Sequence, residues 1–478
     1  MLKTMKSIDL VYFNAGGGHR SAALALDTVI RELALPWQVR LVNLFEVLDP
    51  RDVFGKTTGM KPEQYYNARL ARGWTLGLGQ ELKILQALIR LSHKSLTAQL
   101  QRHWQKSKPD MVVSLVPNFN RAMYHALTAA RPKAPYVTIL TDFADSPPHF
   151  WIEPHQAQHL ICGTAKAVEQ ARASGYDDAS IHATSGMIIR PEFYRPLKID
   201  RRAERRKLQL DPDRPTGIVM FGGHGSTVMR RIAKRLDDTQ LILVCGHNSA
   251  LADDLRTMSA RAPRVVIGFS SQIRYFMQLS DFFIGKPGPG SISEAIQQRL
   301  PVIVVRNAWT MPQERYNTDW VQELNAGIVL DSFKAIDSGV AAITSRLDDY
   351  GASVARIQNR AIFEIPTILQ DILRLSDAES GRRRFHPAFP GRPVPASDLG
   401  SSRAAAVRTW TALPLNSALG SAIRRRARRH HRGRAGLRVC GRIAVRRLRR
   451  RTYRSRTPRY SNRLRGSAAS AIGPRSRR

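Results

Sequence analysis

With 478 residues, 43% of them apolar, the chain is long enough for two or three domains with a core each, which excludes a small disulfide-stapled fold. Its three cysteines, Cys162, Cys245 and Cys440, form no CxxC or CxxH pair, so neither a disulfide framework nor a zinc site is suggested and a reducing cytoplasm fits. The net charge of +37 would point to nucleic acid or anionic lipid, but residues 381 to 478 alone hold about 28 arginines, no lysine, no glutamate and one acid, Asp398, so the body before them is only ordinarily basic.

The opening "MLKTMKSIDLVYFNAGGG" runs straight into a strand, without the apolar stretch or small-residue cleavage site of a secretory leader. No run of about 18 apolar residues follows anywhere, so no spanning helix is expected. Strand-like runs then alternate with helical periodicity: "IDLVYF", "QVRLVNLF", "MVVSLV", "YVTIL" and "HLICG" in the first half, and "GIVMFGG", "LILVCG", "RVVIGF", "DFFIGK", "PVIVV" and "AGIVL" in the second. This is the pattern of parallel sheets flanked by helices, in two doubly wound α/β halves. The join falls in "RPEFYRPLKIDRRAERRKLQLDPDRPTG", where proline and charge interrupt the periodicity. Asp211 and Asp213 within it form a DxD that, flanked by Pro212 and Pro215, reads as a turn and not as a metal motif. The expected domains are 1–195, 196–376 and an Arg-rich, disordered tail, 377–478. The abrupt loss of lysine and glutamate resembles translation in a shifted reading frame beyond about residue 380; a disordered appendage and a nucleic-acid arm are the alternatives.

Two glycine loops carry the chemistry. In "NAGGGHRSA", Gly16, Gly17 and Gly18 stand between a strand and a helix whose stripe is Ala22, Leu26, Val29 and Leu33. Ser21 occupies the place of the third glycine of a dinucleotide fingerprint, and no Lys-Ser/Thr pair follows as in a P-loop, so neither standard phosphate loop fits and an NAD-dependent enzyme is disfavoured. Two readings stay open: a tight turn, or amides presented to an anion at a helix N-terminus, with His19 beside them. In "SDFFIGKPGPGSISEAIQQRLPVIVV" a second strand enters a Gly-Pro-Gly loop and a helix expected to open at Ser291 or Ser293, with Glu294 in its first turn. There Glu294 is either a capping or dipole partner or an acceptor for ribose hydroxyls beside a diphosphate.

Between the first strands, "EQYYNARLARGWTLGLGQELKILQALIRLSHKSL" offers Tyr65, Tyr66 and Trp74, then a helix with Leu82, Leu85 and Ile89 on one side and Lys83, Arg90 and Lys94 elsewhere. Such a helix suits either a lipid headgroup layer or an ordinary domain surface.

Together "AGGGHRSAALAL", "TDFADSPPHFW", "CGHNSALADDL", "GFSSQIRYFMQLSDFFIGKPGPGSISEAIQQRLPVIV" and "PQERYN" resemble the monogalactosyldiacylglycerol synthase and MurG-type glycosyltransferases, in the right order over about residues 5 to 370. The resemblance implies a GT-B fold: two Rossmann-like domains facing a cleft, the nucleotide sugar on the C-terminal domain, the acceptor on the N-terminal one, and metal-independent, inverting transfer without a cofactor. On the donor side it implies Gly222 and Gly223 as the opening loop, Phe269 near the uracil, Gly288, Gly290 and Ser291 at the diphosphate, Glu294 on the ribose, and Gln313, Glu314 and Asn317 facing the donor. Pro287 stands where the family has alanine. On the acceptor and phosphate side it implies His19 behind Gly16, Gly17 and Gly18, and Asp142, with His149 and Trp151 supplied by "DSPPHFW" in a shifted register.

The reading is a UDP-sugar-dependent hexosyltransferase with diacylglycerol as the expected lipid acceptor. Asp142 is the first choice for general base and His19 the second. The enzyme is expected in the cytoplasm, peripheral at the inner face of the cell membrane, with anionic lipid as a partner and nucleic acid touched only nonspecifically through the tail. Rivals are another glycolipid or polyprenyl acceptor, nucleotide-sugar epimerisation, and an Arg-rich nucleic-acid binder on an inactive GT-B body.

Overall fold

Strands buried on both faces read as unbroken aliphatic runs, and these runs give the chain its two sheets. The computed structural model describes residues 5–14, 17–50, 56, 59 and 78–385. The first sheet is built from β1 (Lys6–Tyr12), β2 (Trp37–Asn43), β3 (Met111–Ser114), β4 (Tyr136–Ile139), β5 (His159–Cys162) and β6 (Ile181–Ala183) in the order β2-β1-β3-β4-β5-β6. The second comprises β7 (Thr216–Met220), β8 (Gln240–Val244), β9 (Arg264–Ile267), β10 (Phe282–Gly285), β11 (Val302–Val305) and β12 (Gly327–Leu330) in the order β12-β11-β10-β7-β8-β9. All pairings are parallel. Helices cover both faces of each sheet. β3, β7, β8, β10 and β11 are buried along their whole length.

In such sheets ligands bind outside the carboxyl ends of the strands, where the strand order reverses. Here the reversals fall between β1 and β3 and between β7 and β10. The first glycine loop follows β1, and the loops with Gly222 and Gly288 follow β7 and β10. Both glycine-rich stretches therefore sit at the switch points of their sheets. The glycine at 246 lets the loop after β8 pass the loop after β7: its φ is +60°, and a Cβ there would collide with the Gly223 carbonyl.

The eleven expected strands are all present, and β6 is an addition. It is three residues long and only Ile181 is buried, so it lacks the aliphatic run by which the others are legible. Asp211 accepts the backbone N–H of Asp213 at 2.9 Å, an Asx turn in place of a metal motif.

The chain crosses between the two cores twice. After β6, Met187, Ile189 and Phe193 join Ile218, Phe276 and Phe283 in the second core. The final helix, Ala361–Phe385, then returns: Ala361, Ile362, Ile365, Leu369, Ile372 and Leu373 pack with Ile8, Leu26, Val113 and Ile139 of the first. This corrects the expected division at two points. The helix belongs to the first core, although the segment 196–376 was expected to form the second domain, and it continues through residues 377–385, which were expected to open the tail. The remainder of 377–478 lies outside the described residues.

Because the returning helix completes the first core, Leu369→Ala should lower unfolding stability by about 2–5 kcal/mol, against at most ~0.5 kcal/mol for the exposed Leu375→Ala. Urea midpoints of the two variants check this.

Candidate active site

On the first domain the site is built from the ends of β1 and β4. Gly17 takes a left-handed conformation (φ 79°) as the residue before the helix Gly18–Glu32, so the helix begins at Gly18, earlier than the expected Ser21. A Cβ at Gly17 or Gly18 would meet nothing within 4 Å, which leaves the amide end of the helix approachable. Gly16 lies outside the described residues. His19, in the helix's first turn, has Nδ1 3.0 Å from Thr141 Oγ1, at the end of β4. Burial holds its pKa down to about 4, so the imidazole is neutral at neutral pH.

Asp142 follows Thr141 and is 8% exposed. The Trp151 indole donates to its Oδ2 at 3.0 Å. Burial pushes the Asp142 carboxyl up to about 7; the indole hydrogen bond opposes the shift, Glu314 and Asp145 add to it, and Lys286 counters it. The loop between them is shaped by Asp145, whose carboxylate accepts the backbone N–H groups of His149 (2.9 Å), Trp151 (2.6 Å) and Ile152 (3.4 Å). Trp151 is fully buried, with its ring 5.8 Å from that of His19, so it acts on a ligand only through Asp142 and His19. His149 turns elsewhere. It has φ 63°, its Nδ1 lies 3.3 Å from the Ile152 carbonyl, and it lines a cavity of about 150 Å³ with Arg90, His93, Arg121 and Glu153.

On the second domain the helix Pro289–Gln297 begins inside the Gly-Pro-Gly loop, with Gly288 preceding it and proline in the first turn. Glu294 is consequently in the second turn, not the first as expected, and the capping reading loses its geometry. Its carboxylate meets Arg190 Nε at 3.3 Å, and Arg190 Nη1 also holds Glu192 at 2.8 Å. Burial raises the Glu294 pKa and the arginine opposes this. Space is open above Gly290 and Gly223, where a Cβ would touch nothing within 4 Å.

Lys286 crosses this floor. Its Cε would lie 3.2 Å from a Cβ at Gly288 and 4.0 Å from one at Gly222, and its Nζ donates to Glu314 Oε1 at 2.9 Å. Glu314 and Asn317 were expected to face the donor; instead Glu314 is buried against the lysine, and Asn317, fully buried, donates through Nδ2 to the Pro287 carbonyl at 2.7 Å and braces the loop from below. Gln313 is half-buried with Nε2 3.7 Å from Met311 Sδ. At the ends of β8 and β9, the exposed Phe269 ring stacks on His247, centroids 4.0 Å apart and 18° between planes. Ser291 sits in the first turn of the helix and is half-buried.

Arg190, Lys286 and His247 were missed. Lys286 had a cue, a cation directly before a glycine loop, while an arginine in a connector and a histidine two strands away from the loop have none in sequence. The expected lipid-facing stripe is also redrawn. Leu82 and Ile89 pack inward, and Ile84, Leu85, Leu88 and Leu91 are the large apolar side chains that the helix Leu78–Leu91 exposes. Tyr65, Tyr66 and Trp74 lie outside the described residues.

The loop after β4 meets the loops after β10 and β11: Ser146 Oγ donates to the Pro312 carbonyl at 3.2 Å, and Asp142 senses Lys286 and Glu314. Two Rossmann-like domains joined in this way, with glycine loops at their switch points, define the GT-B fold. No family model matches the chain. Among curated proteins it is 27% identical over 401 residues to a probable monogalactosyldiacylglycerol synthase 2, chloroplastic, of Oryza sativa subsp. japonica, covering 77% of this chain and 81% of that one. It is 26% identical over 354 residues to monogalactosyldiacylglycerol synthase 3, chloroplastic, of Arabidopsis thaliana, covering 69% and 72%. Similar solved structures include an S. aureus MnaA-UDP co-structure (TM-score 0.49, 15% identity, 78% of this chain and 98% of that one) and Acinetobacter baumannii MurG (TM-score 0.49, 10% identity, 77% and 99%). In sequence the chain is similar to the monogalactosyldiacylglycerol synthases.

A carboxyl whose folded pKa is about 7 binds its proton more tightly in the native state than in the unfolded chain, where the ordinary value is near 3.8. Its contribution to stability is complete below the unfolded value and is lost as pH rises through about 7. Asp142→Asn should therefore match the parent at pH 4 and exceed it by on the order of 1–4 kcal/mol at pH 8. Thermal melts across that range test the sign.

Proposed function

We propose that the chain is an inverting, metal-independent glycosyltransferase that moves a hexose from a UDP-sugar to a lipid acceptor, diacylglycerol being the acceptor expected. The observation that carries the reading is the floor at the β7/β10 switch point, where the Lys286 side chain passes over Gly288, the helix Pro289–Gln297 begins, and Glu294 follows one turn after Gly290. A cation, a helix N-terminus and a carboxylate one turn on are groups that a nucleoside diphosphate can use. The curated relatives supply the acceptor class, since they are named as synthases of a galactosyl diacylglycerol.

The helix N-terminus and Lys286 would meet the charge growing on the departing diphosphate, the role a metal plays elsewhere. Glu294, whose upward shift from burial Arg190 opposes, would accept the ribose hydroxyls, and Phe269 stacked on His247 offers a flat surface for the base. Asp142, across the cleft with a pKa of about 7, can take the acceptor hydroxyl's proton at working pH. A single displacement with base and leaving group on opposite sides of the sugar inverts the anomeric centre. His19 is the weaker base, because its pKa of about 4 gives it little proton affinity; its hydrogen bond to Thr141 suits it to holding the β4 loop.

Among the described residues no helix is long and apolar enough to cross a membrane. The exposed Ile84, Leu85, Leu88 and Leu91, with Lys83, Arg90 and Lys94 around them, support peripheral docking on an anionic lipid surface; the cytoplasmic face of the cell membrane is the location proposed. Any nonspecific contact of the tail with nucleic acid concerns residues outside those described.

Incubating the purified chain with radiolabelled UDP-sugars and a panel of diacylglycerol, ceramide and lipid II should give label on diacylglycerol; no labelled lipid with any donor would reject the reading. Asp142→Asn should lower turnover at least about 100-fold with donor affinity nearly kept. Glu294→Gln should weaken UDP binding at least about tenfold in calorimetry, because an amide with one acceptor oxygen replaces the carboxyl group that accepts both hydroxyl hydrogen bonds. Equal affinities would remove the ribose assignment.

A further inference from the structure

Phe143, the residue after Asp142, belongs to the first domain by sequence and to the second by packing. It is 1% exposed and lies in the core cluster of the second sheet, among Phe193, Ile273 and Ile292. Its ring is 4.6 Å from that of Trp320, tilted by 57°. Trp320 stands on the helix Arg315–Glu323, directly after the turn Pro312–Glu314 that supplies Glu314. The backbone of Phe143 remains tied to its own domain, since Thr164 Oγ1 donates to its carbonyl. Three residues on, Ser146 repeats the crossing with its hydrogen bond to the Pro312 carbonyl.

We propose that Phe143 is a positioning residue that plugs the β4 loop into the donor-side domain and so sets where Asp142 stands relative to Lys286 and Glu314. The inference rests on Asp142 being the base. Asp142 is held by two attachments: its carboxylate by Trp151 of the first domain, and its neighbour's ring by Trp320 of the second. An aromatic plug of this size gives a fixed separation between base and donor floor that two independent domains joined by a connector would not have. It also keeps water from Asp142, whose raised proton affinity comes chiefly from burial. The charged and titratable groups facing that carboxyl are Asp145 on its own loop and Glu314 and Lys286 from the second domain, with His19 next to Thr141.

The test uses the full chain and measures transfer from UDP-sugar across pH for Phe143→Ala, Phe143→Leu and Trp320→Ala, with UDP affinity by calorimetry. Phe143→Ala and Trp320→Ala should each lower kcat at least about tenfold, keep the donor KM within about twofold, and move the acid limb of the kcat profile to lower pH as water reaches Asp142. Phe143→Leu, which refills the pocket with an apolar side chain, should restore most of kcat and the position of the limb. Trp320 is only half-buried, so its variant keeps the test available if Phe143→Ala fails to fold. Folded variants with the parent's kcat and acid limb would overturn the proposal, as would equal losses in kcat and UDP affinity without a shift of the limb. A full-rate Asp142→Asn enzyme would instead overturn the base assignment on which it stands, and the two failures are thereby told apart.

Discussion

The burial of one carboxylate organises this molecule. Asp142 lies just past β4; its carboxylate accepts the Trp151 indole N–H, and the cation that counters its upward shift, Lys286, comes from the other domain. Removing a carboxylate from water costs free energy unless charge or hydrogen bonds replace the solvent, and here the replacement is incomplete. The result is a group poised near neutrality, which is what a general base at physiological pH requires and what a purely structural residue would avoid.

The surrounding architecture makes that cost tolerable. The β4 loop is pinned by the three amides on Asp145, which places the Trp151 indole on Asp142. The second domain closes the other side through Phe143, Ser146 and the connector, and the returning helix Ala361–Phe385 ties the chain back to the first core. The β4 loop brings carboxyl groups to the wall, and the second sheet brings Lys286 and a helix N-terminus together with the carboxylate of Glu314, which holds the lysine. Lys286 links the two, since it is paired with Glu314 and also felt by Asp142.

How legible this was in sequence follows from range. Aliphatic runs such as "PVIVV" and "LILVCG" announce strands because a strand buried on both faces needs nothing else, whereas Ile181–Ala183, an edge with one buried residue, leaves no such trace. Glycines before helices marked the switch points, and family-like motifs brought Asp142, His19 and Glu294 to notice. Gly-Pro-Gly reads as loop in sequence, yet proline is at home in a first helical turn and the helix starts at Pro289. What sequence could not carry is contact across the two cores. Nothing in the spelling of Phe143 and Trp320, or of Arg190 and Glu294, says that they meet, and the apolar period of residues 361–373 does not name the core it fills.

If the β7/β10 switch point of the second sheet holds a uridine diphosphate sugar facing Asp142, a crystal of the chain soaked with UDP should show the diphosphate over Gly288 and Gly290 within reach of Lys286, the ribose hydroxyls on the Glu294 carboxyl group, and the uracil beside Phe269. A nucleotide seated instead on the Gly17–Gly18 loop of the first domain, with the second floor unchanged, would contradict it.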